Sequence, residues 1–82
     1  MIIQIKTIKD IELFAKKLTN EGVAFHPDDD FNDYINFNTG ENYYSKEEAN
    51  YRNRLMDQCF QICNRLQIDI YEVMHKKVLS LM

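Results

Sequence analysis

Proline occurs once in this chain, glycine twice and tryptophan not at all. Gly22 and Gly40 lie far apart in the sequence, which excludes a glycine-rich phosphate loop and a dinucleotide-binding fingerprint. No apolar run approaches the ~20 residues that a membrane-crossing helix needs. The opening Met1-Ile2-Ile3-Gln4-Ile5-Lys6 is apolar but short, and no basic region precedes it, so it does not read as a signal peptide. A cytoplasmic location is the resulting expectation. There are only two cysteines, Cys59 and Cys63. One helical turn apart, their Cβ atoms would stand about 5–6 Å from each other, too far for an unstrained disulfide. Both are expected to be reduced, buried and apolar in behaviour. With no CxxC pair and no Cys/His array beside them, they do not complete a zinc site, and no cofactor is expected.

What remains is a helix-forming sequence of 82 residues, the length of one small domain with a thin core. From Ser45 to Leu66 the apolar residues Leu55, Cys59, Ile62, Cys63 and Leu66 recur at the spacing of one helical face, widened by Met56 and Phe60. Arg52, Asn53, Asp57, Gln61, Asn64 and Arg65 are expected on the opposite, solvated face. Ser45 with Glu48 forms a capping-box pattern at the start. Thr7 with Asp10 repeats it for a first helix ending at Glu21, where Gly22 supplies a left-handed stop. That helix offers Ile8, Ile11, Phe14, Ala15 and Leu18 as its apolar face. Asp69 and Glu72 suggest a third box, with Ile68 and Val73 as a staple. Ile70, Met74, Val78 and Leu81 stripe the last helix. Residues 2–5 are rich in β-branched side chains and read equally as a short strand, with 23–25 as one partner, or as a lead into the first helix. The expected fold is therefore all-α: a single domain over 1–82 with three main helices, one short acidic helix, and a minor N-terminal β element left open.

Net charge is −3, but the charge is segregated. Residues 21–48 hold eight acids against Lys46 alone, a net of −7, whereas the flanking segments are mildly basic. The acids concentrate in His26-Pro27-Asp28-Asp29-Asp30-Phe31-Asn32-Asp33-Tyr34-Ile35. One aspartate is expected to cap a short helix with the others in its first turn, and Phe31, Tyr34 and Ile35 on one face. Asn36 to Tyr44 reads as a loop around Gly40, in which Phe37, Tyr43 and Tyr44 either pair as a hairpin or pack as a lid.

Hard cations prefer several carboxylate oxygens, which makes His26, Asp28 and Asp30 metal candidates. The calcium-loop pattern fails, however. Counted from Asp28, Asp33 stands where glycine is needed and Thr39 where glutamate is needed; counted from Asp30, Ile35 occupies the glycine position. A capped helix start accounts for the acids without a metal. His26 beside carboxylates resembles a general base, yet no nucleophile or oxyanion-stabilising motif accompanies it, so no catalytic residue is assigned and no enzyme is expected. His75 reads as a helix-terminal residue next to Lys76 and Lys77. Phe37, Tyr43, Tyr44 and Tyr51 fit core or lid packing better than a recognition platform.

Taken together, Phe25-His26-Pro27-Asp28-Asp29-Asp30-Phe31, Asp33-Tyr34-Ile35, Thr39-Gly40-Glu41, Glu47-Glu48-Ala49, Arg54-Leu55-Met56-Asp57, Cys59-Phe60 and Asp69-Ile70-Tyr71 resemble a group of short uncharacterised bacterial proteins, many from gut species and their mobile elements. The resemblance spans most of residues 7–75. It implies a natural compact domain and assigns no activity and no site residues.

The leading functional expectation is a small accessory or regulatory protein that binds another protein through Asp28, Asp29, Asp30 and Asp33, with Tyr43 and Tyr44 as anchors. The alternative is divalent-metal or small-ligand binding at the His26/Asp28–Asp33 turn. A third is weak nucleic-acid binding through Lys9, Lys16, Lys17, Arg52 and Arg54, which the lack of a strongly basic footprint disfavours. Self-association as a homodimer is a further expectation; no membrane partner is expected.

Overall fold

The computed structural model describes residues 4–81. Within them the order is α1 (Ile8–Asn20), a single 3₁₀ turn (Phe31–Asp33), α2 (Lys46–Leu66) and α3 (Ile70–Ser80). Among the described residues the molecule is mostly helical, without a sheet, and its only β pairing is an isolated antiparallel bridge between Ile35 and Asn42. Of the two readings left open for 2–5, the strand does not appear at Gln4 and Ile5, which adopt no regular structure; residues 2 and 3 lie outside the described residues. Ile5 is buried, and its amide donates to Gln58 Oε1 at 2.8 Å, which fastens the N-terminal segment to α2 instead of to residues 23–25.

Local chemistry sets the helix starts. Thr7 Oγ1 accepts from the Asp10 amide at 3.2 Å, and the Asp10 carboxylate accepts from the amides of Lys6 and Thr7. These amides, that of Lys6 foremost, hold the Asp10 carboxyl below its ordinary value. Ser45 and Glu48 form the same reciprocal pair at the start of α2. Such pairs satisfy donors that the first turn leaves without intrahelical partners. The third expected box does not form. Asp69 accepts from the Tyr71 amide at 2.9 Å, but Glu72 turns along the helix to Lys76, 3.2 Å away.

The core joins Ile11, Phe14, Ala15 and Leu18 of α1 to Ala49, Leu55, Met56, Cys59, Ile62 and Cys63 of α2 and to Ile70 and Met74 of α3. Phe31 and Tyr44 enter it from the long connection. α1 packs most extensively on α3, and α2 carries the 3₁₀ turn on its flank. The apolar face of α2 is thus hidden by its own chain, with Leu55 and Cys59 fully buried. Both cysteines are free, and burial pushes the Cys59 thiol up to about 12.

Three placements depart from expectation. Leu66, assigned to the buried stripe, is 49% exposed because it occupies the last turn, just before the chain reverses through Gln67. Arg52, assigned to the solvated face, is only 6% exposed, for reasons given below. The short acidic helix shrinks to one 3₁₀ turn: Tyr34 is already extended at φ −76°, ψ 124°, and Ile35 leaves for the bridge.

Gln67 ends α2 in the left-handed region at φ 57°, ψ 43°, where its amide and that of Ile68 return to carbonyls of the last turn. A side chain there carries about 1–2 kcal/mol of steric cost that glycine lacks. Part of that gain is lost to the freer unfolded chain, so Gln67→Gly is expected to stabilise the protein by about 0.5 kcal/mol. The check is a higher urea midpoint at unchanged slope; a lower midpoint would refute the assignment of strain to Gln67.

Candidate functional site: the acidic turn and the 34–43 ribbon

The segment from Phe25 to Tyr44 connects α1 to α2, and three helices hold it in place. Pro27 is buried. The three consecutive aspartates that follow diverge. Asp28 accepts the Tyr71 hydroxyl of α3, a bond that, with burial, pushes the tyrosine up to about 12. Asp29 accepts the Tyr34 hydroxyl at 2.9 Å; burial first, and then this bond, raises Tyr34 to about 12. Asp30 caps the 3₁₀ turn through the Asn32 amide and accepts Asn53 Nδ2 of α2 at 2.7 Å, contacts that hold its carboxyl below the usual range. α2 also answers from its side: Asn53 Oδ1 takes the Phe31 amide at 3.0 Å, and Asn50 takes Asn32. Three adjacent carboxylates therefore bind three separate places in the fold.

This divergence bears directly on a cation site, which requires oxygens converging on one point. Among the described residues, no three His, Cys, Asp or Glu side chains are gathered as a ligand set. His26 accepts the Asp28 amide on Nδ1 at 3.4 Å, and its ring lies 5.2 Å from that of Tyr71. A shallow groove of about 260 Å³ between Pro27 and α3 brings His26 near His75 over Met74 and Val78; no local pattern associates the two histidines.

The strongest polar contact lies at the base of the connection. Glu21 receives Arg52 in a two-pronged bond, Nε to Oε1 at 3.2 Å and the terminal nitrogen to Oε2 at 2.6 Å. Lys17 approaches the same carboxylate at 3.4 Å. The Tyr44 hydroxyl donates to Glu21 Oε1 at 2.8 Å, its ring lies 4.1 Å beneath the Arg52 guanidinium, and the Tyr43 hydroxyl donates to the Glu21 carbonyl at 2.5 Å. Arg52 also caps the Glu48 carbonyl at 3.1 Å, so a buried guanidinium is satisfied on all sides. Tyr44 is consequently only 6% exposed and presents no surface to a partner. Two of the five cations considered for nucleic acid, Lys17 and Arg52, share the Glu21 carboxylate, and Arg54 rests over the Tyr51 ring at 5.5 Å.

Above this base, residues 34–43 form a short ribbon. Tyr43 donates its amide to the Tyr34 carbonyl at 2.8 Å and Asn36 to the Glu41 carbonyl at 2.8 Å. The tip is closed by Gly40 N–H to the Asn36 carbonyl at 2.7 Å, with Gly40 at φ +75°, a conformation that glycine adopts without penalty. Asn36 Oδ1 and Thr39 Oγ1 bind the Asn38 and Glu41 amides. Exposure alternates along the first arm: Tyr34 and Asn36 are half-buried, while Asp33, Ile35 and Phe37 face solvent. Phe37 is 99% exposed and Ile35 50%. The chain adopts neither alternative as drawn: the backbone forms a hairpin, but it pairs Tyr34 and Ile35 with Asn42 and Tyr43, Tyr44 packs into the core, and Phe37, read as a packing residue, stands fully in water. The residues that sequence reasoning missed are Ile35 and Phe37; the signal was their two-residue spacing with Asp33, masked by the helical spacing of Phe31, Tyr34 and Ile35.

No family model matches the chain, and comparison with curated proteins and with solved structures returns no significant match. No helix among the described residues is long and apolar enough to cross a membrane.

The Glu21 node predicts its own pH dependence. Burial alone would raise the Glu21 carboxyl, but hydrogen bonds from Arg52 and Tyr44 outweigh it and hold the group below its ordinary value of about 4.5. Its contribution to stability is therefore complete above that value and is lost as pH falls through the lower, folded-state value. Acid unfolding below about pH 4.5 should be blunted in Glu21→Gln relative to the parent. Arg52→Met, which strands the carboxylate, should cost about 2 kcal/mol at pH 7. Urea titrations at pH 7 and pH 4 measure both; an Arg52→Met protein as stable as the parent would refute the role given to the pair.

Proposed function

We propose that this chain is a small accessory protein that works by binding another protein, with the 33–37 arm of the ribbon as its contact surface. The observation that supports the reading most is the fully exposed Phe37 beside Ile35 on a ribbon whose backbone is pinned at both ends. Loops positioned by a rigid scaffold are where binding residues concentrate. The backbone that carries the aromatic ring is already held by the ribbon's hydrogen bonds, so less chain freedom is lost on binding, which is the advantage of preorganisation. Asp33 and Glu41, both exposed, supply a charged rim around the apolar pair. Asp28, Asp29 and Asp30 contribute indirectly, by holding the turn to α2 and α3. The role is one of recognition and requires no chemistry from the chain.

A photo-crosslinking side chain in place of Phe37, expressed in the native host, should yield one discrete heavier species. The same group in place of Gln61, exposed on α2, should yield none. Equal labelling from both positions, or no adduct from position 37, would overturn this reading.

A further inference from the structure

The ribbon presents an open backbone edge as well as two apolar side chains. Ile35 faces Asn42, and the hydrogen bonds on either side of this pair run from Asn36 to Glu41 and from Tyr43 to Tyr34. In an antiparallel ladder a pair flanked in this way directs its own N–H and C=O groups outward, away from the partner arm. Among the described residues, neither the Ile35 amide nor its carbonyl has a hydrogen-bond partner. At Ile35 these groups form a short unpaired edge, the kind of template on which another strand pairs.

We infer that the outer edge of residues 34–36 accepts an extended, basic peptide segment as an added strand, with its apolar side chains meeting Ile35 and, at the adjoining turn, Phe37. This rests on the protein-binding reading above and specifies its partner. Charge selects the occupant. Asp33 directly precedes the edge, Glu41 lies on the arm paired with it, and both are exposed in a segment, 21–48, of net charge −7. A second copy would bring another segment with the same net negative charge against the first, and like charges disfavour that pairing. A segment alternating lysine or arginine with valine, isoleucine or leucine satisfies the backbone, the carboxylates and the apolar pair at once. Main-chain pairing supplies the affinity in this mode and alternate side chains the specificity.

The probe is a fluorescein-labelled octapeptide alternating lysine and valine, followed by anisotropy and by amide chemical shifts of the full chain. Binding should perturb the amides of Asp33 to Phe37 and should weaken about tenfold when Asp33 and Glu41 are both replaced by lysine. Ile35→Pro removes the outward N–H without touching the two hydrogen bonds of the bridge, and Tyr34 before it already has a backbone compatible with a following proline. It should bind about fivefold more weakly than Ile35→Ala, the difference being the one backbone bond. Equal affinity of the proline and alanine variants, or equal binding of a peptide alternating glutamate and valine, would overturn the inference. So would shifts at 33–37 that depend on protein concentration and resist competition by the peptide, since a second copy would then be the occupant. If the Phe37 crosslink forms while any of these results is obtained, the protein-binding reading stands and only the strand-addition mode fails.

Discussion

The buried guanidinium of Arg52 is the constraint on which the rest of this structure depends. A charge at 6% exposure persists in so small a core only if every donor is answered, because an unpaired buried ion costs several kcal/mol. Glu21 answers it from the C-terminal cap of α1, the Glu48 carbonyl from α2 itself, and the Tyr44 ring from the connection. The end of one helix, the first half of another and the returning arm of the ribbon are thereby fixed to one point. Because Tyr43 and Tyr44 are both tied to Glu21, the 41–43 arm is set by this node. The 34–36 arm is set by its hydrogen bonds to 41–43 in turn. The position of Phe37 in water thus follows from an ion pair at the other end of the ribbon.

Features settled within a few residues were legible in the sequence, and those settled across the chain were not. Thr7 with Asp10, and Ser45 with Glu48, close rings over three residues, so composition alone placed both helix starts. The apolar spacing of α2 announced Leu55, Cys59, Ile62 and Cys63 as core. Arg52 was misassigned because its charge was read apart from its position. It lies three residues after Ala49 and three before Leu55, squarely within the buried stripe, and a lone cation there calls for a distant anion. Nothing in the local sequence identifies Glu21 as that anion; only the packing of α1 beside α2 does. The missing third capping box has the same origin, since Glu72 had a choice between Asp69 and Lys76 and took the cation one turn on.

The acidic turn shows how a dense charge pattern misleads when counted without geometry. Four aspartates within six residues suggest either a cation or a uniformly negative face. In the folded chain Asp28, Asp29 and Asp30 are used as acceptors for Tyr71, Tyr34 and Asn53, because a tight turn points successive side chains in different directions. Each hydrogen bond is exposed and individually modest. Their sum orients a segment that has little apolar content of its own beyond Phe31.

Asp28, Asp29 and Asp30 stay exposed, with their carboxylates engaged in the fold's own hydrogen bonds. Asp33, Glu41 and Glu47 remain exposed, and two of them border the arm that holds Ile35 and Phe37. An open strand edge with apolar side chains is ordinarily an aggregation hazard that proteins manage with charge. In the proposed mode, carboxylates near such an edge would disfavour a second acidic chain and favour one of opposite sign. Asp33 and Glu41 are free for that role because no hydrogen bond within the described residues engages their carboxylates, whereas those of Asp28, Asp29 and Asp30 are engaged by Tyr71, Tyr34 and Asn53.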